Sequence, residues 1–285
     1  MNKLNYISRQ LSRATNKKYE NYVVSRIWNL LNDTSIKFVT QQYVVRPEGR
    51  ALTDMYFPQL KIHIEVDEPF HQKQQFSDNL REVDIINATG HTIYRVDISK
   101  GLDLVNSEIE IIVSKLKEKK KTCLDFKEWN LDDEYNPLTY VNKGFINVTD
   151  DCAFKRMVDA VLCFGRQYNK NGIWKGGVKH PKEEKTSIWF PKLYKNGLWD
   201  NSISIDENTI FEKNEDINLN DKHLHNVLNS LDYKRIVFAR VKSPLGDIMY
   251  RFKGEFTLNK DLSLQNNVLT WIKTSDIVKT YKIED

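Results

Sequence analysis

The chain has 285 residues, a net charge of +4 and 40% hydrophobic residues, enough for one large or two ordinary domains, each with its own core. No stretch approaches a membrane-spanning run, and the N-terminal MNKLNYISRQLSR lacks the apolar segment of a secretion signal. The three cysteines, Cys123, Cys152 and Cys163, fit neither a disulfide framework nor a zinc motif, so a cytoplasmic protein with inert thiols is expected.

Ser8 to Asn16 is polar and reads as a short helix. Tyr19 to Leu31 is amphipathic, with Tyr19, Val23, Ile27 and Leu30 on one stripe. Glu20 falls on the neighbouring stripe with Val24, Ile27 and Leu31, where either the helix dipole favours it or it points into an active site. Phe38 to Val45 reads as a strand.

The next stretch, TDMYFPQLKIHIEVDEPFH, organises the first half of the chain. It reads as two extended segments broken at Pro58. In the second, Leu60, Ile62, Ile64 and Val66 alternate with Lys61, His63, Glu65 and Asp67, the period of a half-buried strand. A hairpin brings Asp54 beside Glu65. A solvated edge explains most patterns of this kind. Acids at alternate positions, followed at once by Glu68 and His71, instead suit oxygen ligands around a divalent cation.

Ser77 to Thr89 is expected to be helical, with Ser77 as N-cap and Gly90 as the stop, followed by a strand over Thr92 to Asp97. Asp103 to Lys120 makes a further helix ending in a cluster of lysines. The order helix, three strands, helix, strand, helix predicts a compact α/β domain over residues 1–122. Residues 123–144 carry no long periodic element and read as a linker.

A second, mainly β domain is expected over residues 145–285. Asp151 to Phe164 reads as a helix. A basic, Gly-rich loop follows, with Lys175 and Lys179 as candidate contacts to DNA phosphates along with Lys192. The aromatic stretch IWFPKLY leads to Gly197-Leu198-Trp199-Asp200-Asn201-Ser202. Aromatic residues in strands are ordinarily core. A pocket for a flipped base needs flat walls with a carboxylate and an amide, which Trp199, Asp200 and Asn201 supply, with Trp189, Phe190 or Tyr194 as the opposite wall. Tyr233 to Lys242 and Asp247 to Leu258 read as a hairpin, and Val268 to Ile272 as a last strand.

The helix carrying Glu20 and the strand pair carrying Asp54, Glu65 and Asp67 resemble the PD-(D/E)XK nuclease superfamily, most nearly its Vsr-like branch. Phe70-His71 matches that branch, whereas Asp67 stands where the superfamily has Lys, and Thr53 precedes Asp54 in place of Pro. Taken with IWFPKLYKNGLWDNSIS and YRFKGEF, the whole chain resembles modification-dependent restriction endonucleases of the AbaSI and PvuRts type. These join an N-terminal Vsr-like nuclease to a C-terminal SRA-like domain. The resemblance implies Mg²⁺, with Mn²⁺ as a substitute, held by Asp54, Glu65 and Asp67. It also implies His71 as general acid or base and Glu20 in support. The substrate implied is double-stranded DNA containing 5-hydroxymethylcytosine or its glucosylated form, cut at a distance to one side by a homodimer. A modified-base reader with a weak or regulatory nuclease domain and a Vsr-like repair endonuclease are the alternatives.

Overall fold

The computed structural model describes residues 2–13, 18–46, 49–67, 86–87, 89–166, 176–231, 233–241, 243–247 and 249–283. The chain divides into two compact units, Met1–Asp132 with Ser243–Gly246, and Asp133–Lys242 with Asp247–Asp285.

The first unit is α/β. Helices α1 (Lys3–Ser12) and α2 (Lys18–Leu31) precede strands β1 (Val39–Arg46), β2 (Gly49–Phe57), β3 (Ile62–Asp67) and β4 (Thr92–Asp97), and α3 (Leu102–Thr122) closes it. The strands form one sheet in chain order, antiparallel except for the parallel β3–β4 pair. The apolar stripe of α2, Val23, Val24, Ile27 and Leu31, packs with Ile109, Ile112 and Leu116 of α3 over Met55, Phe57, Ile62 and Ile64. Burial of these side chains from water is what holds the two helices on the sheet.

One expectation changes here. Strand β3 is covered on both faces, since His63 is as fully buried as Ile64. Three lysines near the end of α3 serve the fold. Lys120 donates to Asp33 Oδ2 at 2.6 Å, Lys117 donates to the Leu30 carbonyl at 3.0 Å, and Lys115 lies over the Tyr94 ring. Of the helix expected over Ser77 to Thr89, only Ile86, Asn87 and Thr89 are described, and they are helical.

The second unit is β-rich. It runs α4 (Pro137–Lys143), β5 (Phe145–Asn147), β6 (Ala153–Phe154), α5 (Met157–Leu162), β7 (Gly177–Lys179), β8 (Thr186–Trp189), β9 (Ser202–Ile203) and β10 (Thr209–Glu212). It continues through α6 (Ile217–Leu228), β11 (Lys234–Ala239), β12 (Tyr250–Leu258), α7 (Lys260–Asn266), β13 (Leu269–Ser275) and β14 (Ile277–Lys279). The large sheet has the order β7-β8-β11-β12-β13-β10-β9, with β6 on β12, and β14 pairs with β5. Two apolar clusters flank it. One gathers Phe154, Phe164, Ile188, Phe238 and Phe252, and the other Trp189, Ile210, Val237, Phe256 and Trp271.

The β11–β12 hairpin and strand β13 agree with the pattern read from sequence, and the short β14 follows them. The helix expected from Asp151 does not form as one element. Asp151 adopts φ 48 and ends a 3-10 turn, Ala153–Phe154 joins the sheet beside β12, and only Met157–Leu162 is helical. Asn136-Pro137 starts a helix where the sequence reading had none. Asn136 caps it by accepting from the Leu138 N–H at 3.0 Å, and Pro137 occupies the first turn, where a missing N–H does no harm. Among the described residues, no helix is long and apolar enough to cross a membrane.

Candidate functional site

Two clusters, one in each unit, gather the candidate side chains. In the first unit, Glu20 lies in the first turn of α2 and is 1% exposed, while Asp54 on β2 is 7% exposed. The helix N-terminus favours a carboxylate there, but the partner that fixes Glu20 comes from the sheet. Gln41 Nε2 donates to Glu20 Oε1 at 2.6 Å and to Asp54 Oδ1 at 3.2 Å. The other Asp54 oxygen, Oδ2, accepts from the Val66 N–H at 2.8 Å.

That last bond replaces a rung of the sheet. The β2–β3 register runs Phe57 with Ile62 to Met55 with Ile64 and stops there, so Asp54 and Glu65 stand one step beyond the last pair. Glu65 is 8% exposed. Asp67 lies two residues further along the strand and is gripped by Arg95 of β4. Arg95 donates from Nε to Asp67 Oδ2 at 2.8 Å and from a terminal nitrogen to Oδ1. The structure therefore brings Glu20 and Asp54 together through one amide and leaves Asp67 in a bidentate ion pair. His71 lies outside the described residues.

His63, on the same strand, is structural in its surroundings. It stacks on Tyr56, its cross-strand partner, with ring centroids 4.1 Å apart. Its Nδ1 shares a hydrogen bond with Thr53 Oγ1 at 2.9 Å and its Nε2 another with His91 Nδ1 at 3.0 Å. Burial, and next the neighbouring His91, push its pKa down to about 3, so the ring is neutral near pH 7.

Buried carboxylates are hard donors suited to Mg²⁺, which takes one or two carboxylates and keeps several waters. Glu20 and Asp54 fit that requirement as a pair. Among the described residues, no group of three or more His, Cys, Asp or Glu side chains is arranged to hold a metal ion.

In the second unit, Trp199 sits at the end of a tight turn. Asn196 and Trp199 exchange backbone hydrogen bonds at 2.8 and 3.2 Å around Gly197, whose φ of +63 suits the first central position of a hairpin turn. The turn is stitched to the segment after β10. The Asp200 N–H donates to the Lys213 carbonyl at 2.9 Å, and the Lys213 N–H donates to Asn201 Oδ1 at 3.2 Å. Trp199 is half-buried, Asp200 is exposed and Asn201 is buried. Lys192 donates to Asn196 Oδ1 at 2.8 Å, and Lys179 is exposed on β7. Lys175 lies outside the described residues.

The ring packed on Trp199 is that of His223, edge-on with centroids 5.0 Å apart. His223 Nε2 in turn lies 3.1 Å from Glu212 Oε1. Arg235 Nη1 and Trp271 Nε1 both donate to Glu212 Oε2, at 3.0 and 3.2 Å. Burial pushes the Glu212 carboxyl up, but the Arg235 charge, His223 and Trp271 together outweigh it and hold it below the usual range. Trp189 is buried against Trp271, and Phe190 against Phe238 and Tyr250, whereas Tyr194 is half-buried.

Gln41, Glu212, His223 and Arg235 escaped the sequence reading. An isolated Gln in a strand carries no signal, and Glu212 sits in a short strand whose neighbours give no period. His223 had a faint one, a histidine on a polar helix.

Residues 4–134 match the family model described as restriction endonuclease PvuRts1 I-like, N-terminal, and residues 139–280 match the SET and RING associated domain, SRA. None of the curated proteins matches the sequence. Among solved structures, the chain is similar to "The 5-Hydroxymethylcytosine-Specific Restriction Enzyme AbaSI", at 42% identity over 99% of this chain and 98% of that one, with a TM-score of 0.66. With a nuclease unit followed by an SRA unit along its whole length, the chain belongs to the PvuRts1I-like family of modification-dependent restriction endonucleases.

Proposed function

We propose that the protein is a divalent-cation-dependent endonuclease that reads 5-hydroxymethylcytosine, bare or glucosylated, in duplex DNA and cuts at a distance to one side. The convergence of Glu20 and Asp54 on the Gln41 amide carries the catalytic half of the reading. Two carboxylates from separate elements, the helix α2 and the interior strand β2, are both buried where positive charge has a use. Asp54 and Glu65 bind Mg²⁺ or Mn²⁺ with Glu20 alongside, and Asp67, set by Arg95, orients water or serves as a further ligand. His71 is the general acid or base. The chemistry such an ion supplies when bound is polarisation of the scissile phosphate and acidification of the attacking water.

In the reading half, Trp199 stacks on the flipped base while Asp200 and Asn201 meet its polar edge. Tyr194 faces the base from the other side, with Trp189 and Phe190 packed behind. Lys175, Lys179 and Lys192 contact phosphates, which makes binding salt-dependent. One nuclease site cuts one strand, so a double-strand break calls for a homodimer in which each protomer reads one modified cytosine.

One duplex in four versions tests this: cytosine, 5-methylcytosine, 5-hydroxymethylcytosine and glucosylated 5-hydroxymethylcytosine, each with Mg²⁺, Mn²⁺ or EDTA. Cleavage restricted to the hydroxymethylated pair, dependent on the cation and lost in Asp54→Ala, is expected. Equal cutting of all four would overturn the base-reading pocket. Selective binding with no cutting under any cation would leave a reader without a nuclease.

A further inference from the structure

The Gln41 side chain is neutral and ties the two carboxylates, and its backbone explains why it can. Strand β1 pairs with β2 from Val39 with Tyr56 to Arg46 with Gly49, and Gln41 is the residue skipped between Thr40 with Met55 and Gln42 with Thr53. It adopts φ 53, in the left-handed region that a residue with a β-carbon enters only at a cost. The strain is held by the residue before it. Thr40 is fully buried and clamped to α1, its N–H donating to Gln10 Oε1 at 2.9 Å and its hydroxyl to the Gln10 carbonyl at 2.8 Å. The kink aims the Gln41 amide across the strand at Asp54 and Glu20 together.

An amide is well matched to this position. Two buried carboxylates repel, and a donor N–H to each relieves that repulsion without adding a charge that would compete with an incoming cation. A lysine would neutralise the pair in advance. A glycine would remove the backbone strain and lose both bonds. With its Oδ2 on the Val66 N–H, Asp54 is fixed at both oxygens before any ion arrives.

We infer that Gln41 is a positioning residue of the phosphodiester-cleaving site, its side-chain amide holding Glu20 and Asp54 at the spacing a divalent cation requires. The inference rests on the reading of Glu20 and Asp54 as part of the cation-binding group. It assigns Gln41 no contact with the substrate.

Full-length wild-type, Gln41→Gly, Gln41→Asn and Asp54→Ala proteins test it. Glycine suits the left-handed backbone, and asparagine tolerates it but is one methylene too short to span both carboxylates. The readouts are Mn²⁺ affinity by calorimetry without DNA, thermal stability, cleavage of a hydroxymethylated duplex, and binding of that duplex in EDTA. Gln41→Gly is expected to fold as well as wild type and to bind the duplex equally. Its Mn²⁺ affinity and cleavage rate should each fall roughly 10–100-fold, the range for residues that orient metal ligands. Gln41→Asn should behave the same way. Wild-type Mn²⁺ affinity and cleavage in Gln41→Gly would overturn the inference. So would a loss of thermal stability with Mn²⁺ affinity unchanged, which would assign the amide to folding alone. If Asp54→Ala also keeps Mn²⁺ binding and cleavage, the underlying reading of the carboxylate pair is what fails.

Discussion

Arg235 and the buried Glu212 form a largely buried ion pair, Nη1 to Oε2 at 3.0 Å, with the guanidinium carbon 4.2 Å from the Trp189 ring centroid and 3.8 Å from that of Trp271. The cation is clasped between two indoles, and the anion is satisfied by Arg235, His223 and Trp271. Removing one partner leaves the other charged and buried. Arg235→Ala should destabilise the second unit by roughly 3–5 kcal/mol, read by urea unfolding followed through tryptophan fluorescence. The double variant Arg235→Met/Glu212→Gln should recover most of that, because no stranded charge remains. Equal losses in the single and double variants would contradict this account.

His180 should make the fold acid-sensitive. Its ring is buried beside Phe164 and Tyr281, and Nδ1 accepts from the N–H groups of Lys182 at 3.1 Å and Glu183 at 2.8 Å. Burial pushes its pKa down, with Glu183 opposing. Protonation would turn the accepting nitrogen into a donor facing two donors. The unfolded chain gains a proton near pH 6.5 and the folded ring does so only at lower pH, so stability is full above 6.5 and falls as pH drops below it. The slope is at most about 1.4 kcal/mol per pH unit for one group. His180→Asn keeps an acceptor and does not titrate, so its stability should fall less between pH 7.5 and pH 5 in thermal melts.

Asp67 and Asp54 should part company under mutation. Both Asp67 oxygens are taken up by Arg95, whereas Asp54 accepts from the Gln41 amide and the Val66 N–H. Asp54→Asn should abolish cleavage. Asp67→Asn and Arg95→Gln should each lower it by about 10–100-fold, and by no more when combined, since they break one pair. Single-turnover cleavage of a hydroxymethylated duplex reads all three, and additive losses would show that Asp67 acts apart from Arg95.

Gly254 cannot be replaced without moving the sheet. It adopts φ +111, and a β-carbon there would lie 2.6 Å from the Ser275 carbonyl oxygen. The register of β12 slips on both sides at this point, against Val237/Phe238 of β11 and at Glu255/Phe256 against β13. Gly254 itself pairs with Val237, and the neighbouring Lys253 is the residue left out of the pairing with β11, an excluded residue of the kind that lets a strand bend. Gly254→Ala should lower stability by at least about 1–3 kcal/mol, measured by chemical denaturation.

Much of the first unit was legible because its signals are local. The stripe of α2, the alternation of β3 and the short TIYRVD strand each declare their period within a few residues. What stayed hidden depends on partners distant in sequence. The burial of His63 is invisible without Tyr56 and His91 around it. Helix α6 buries Asn220 and Leu224 and packs the half-buried Val227 and Leu228 beside them, so the inward face of INLNDKHLHNVL is short and interrupted by a polar residue. Its Asp216 cap, accepting from the N–H groups of Asn218 and Leu219, was the available clue. At the candidate sites, residue type singled out Asp54 and Trp199 as candidates. The kink that aims Gln41 and the network behind Trp199 are products of tertiary packing.

The strand order also sets a schedule. β10, which carries Glu212, is held between the two-residue β9 and β13, and β13 follows only after α6, β11, β12 and α7 in the chain. A nascent polypeptide that has not yet emerged through Ser275 therefore has only the two-residue β9 on which to lay this strand, and the turn at Trp199, stitched to Lys213 just beyond it, lacks the support of β13. During synthesis the first unit has its whole sheet well before the turn at Trp199 has its scaffold. A ribosome-bound chain would acquire its cutting half before the half that tells it where to cut, which makes the dependence of cleavage on base reading a matter of safety for the cell's own DNA as well as of specificity.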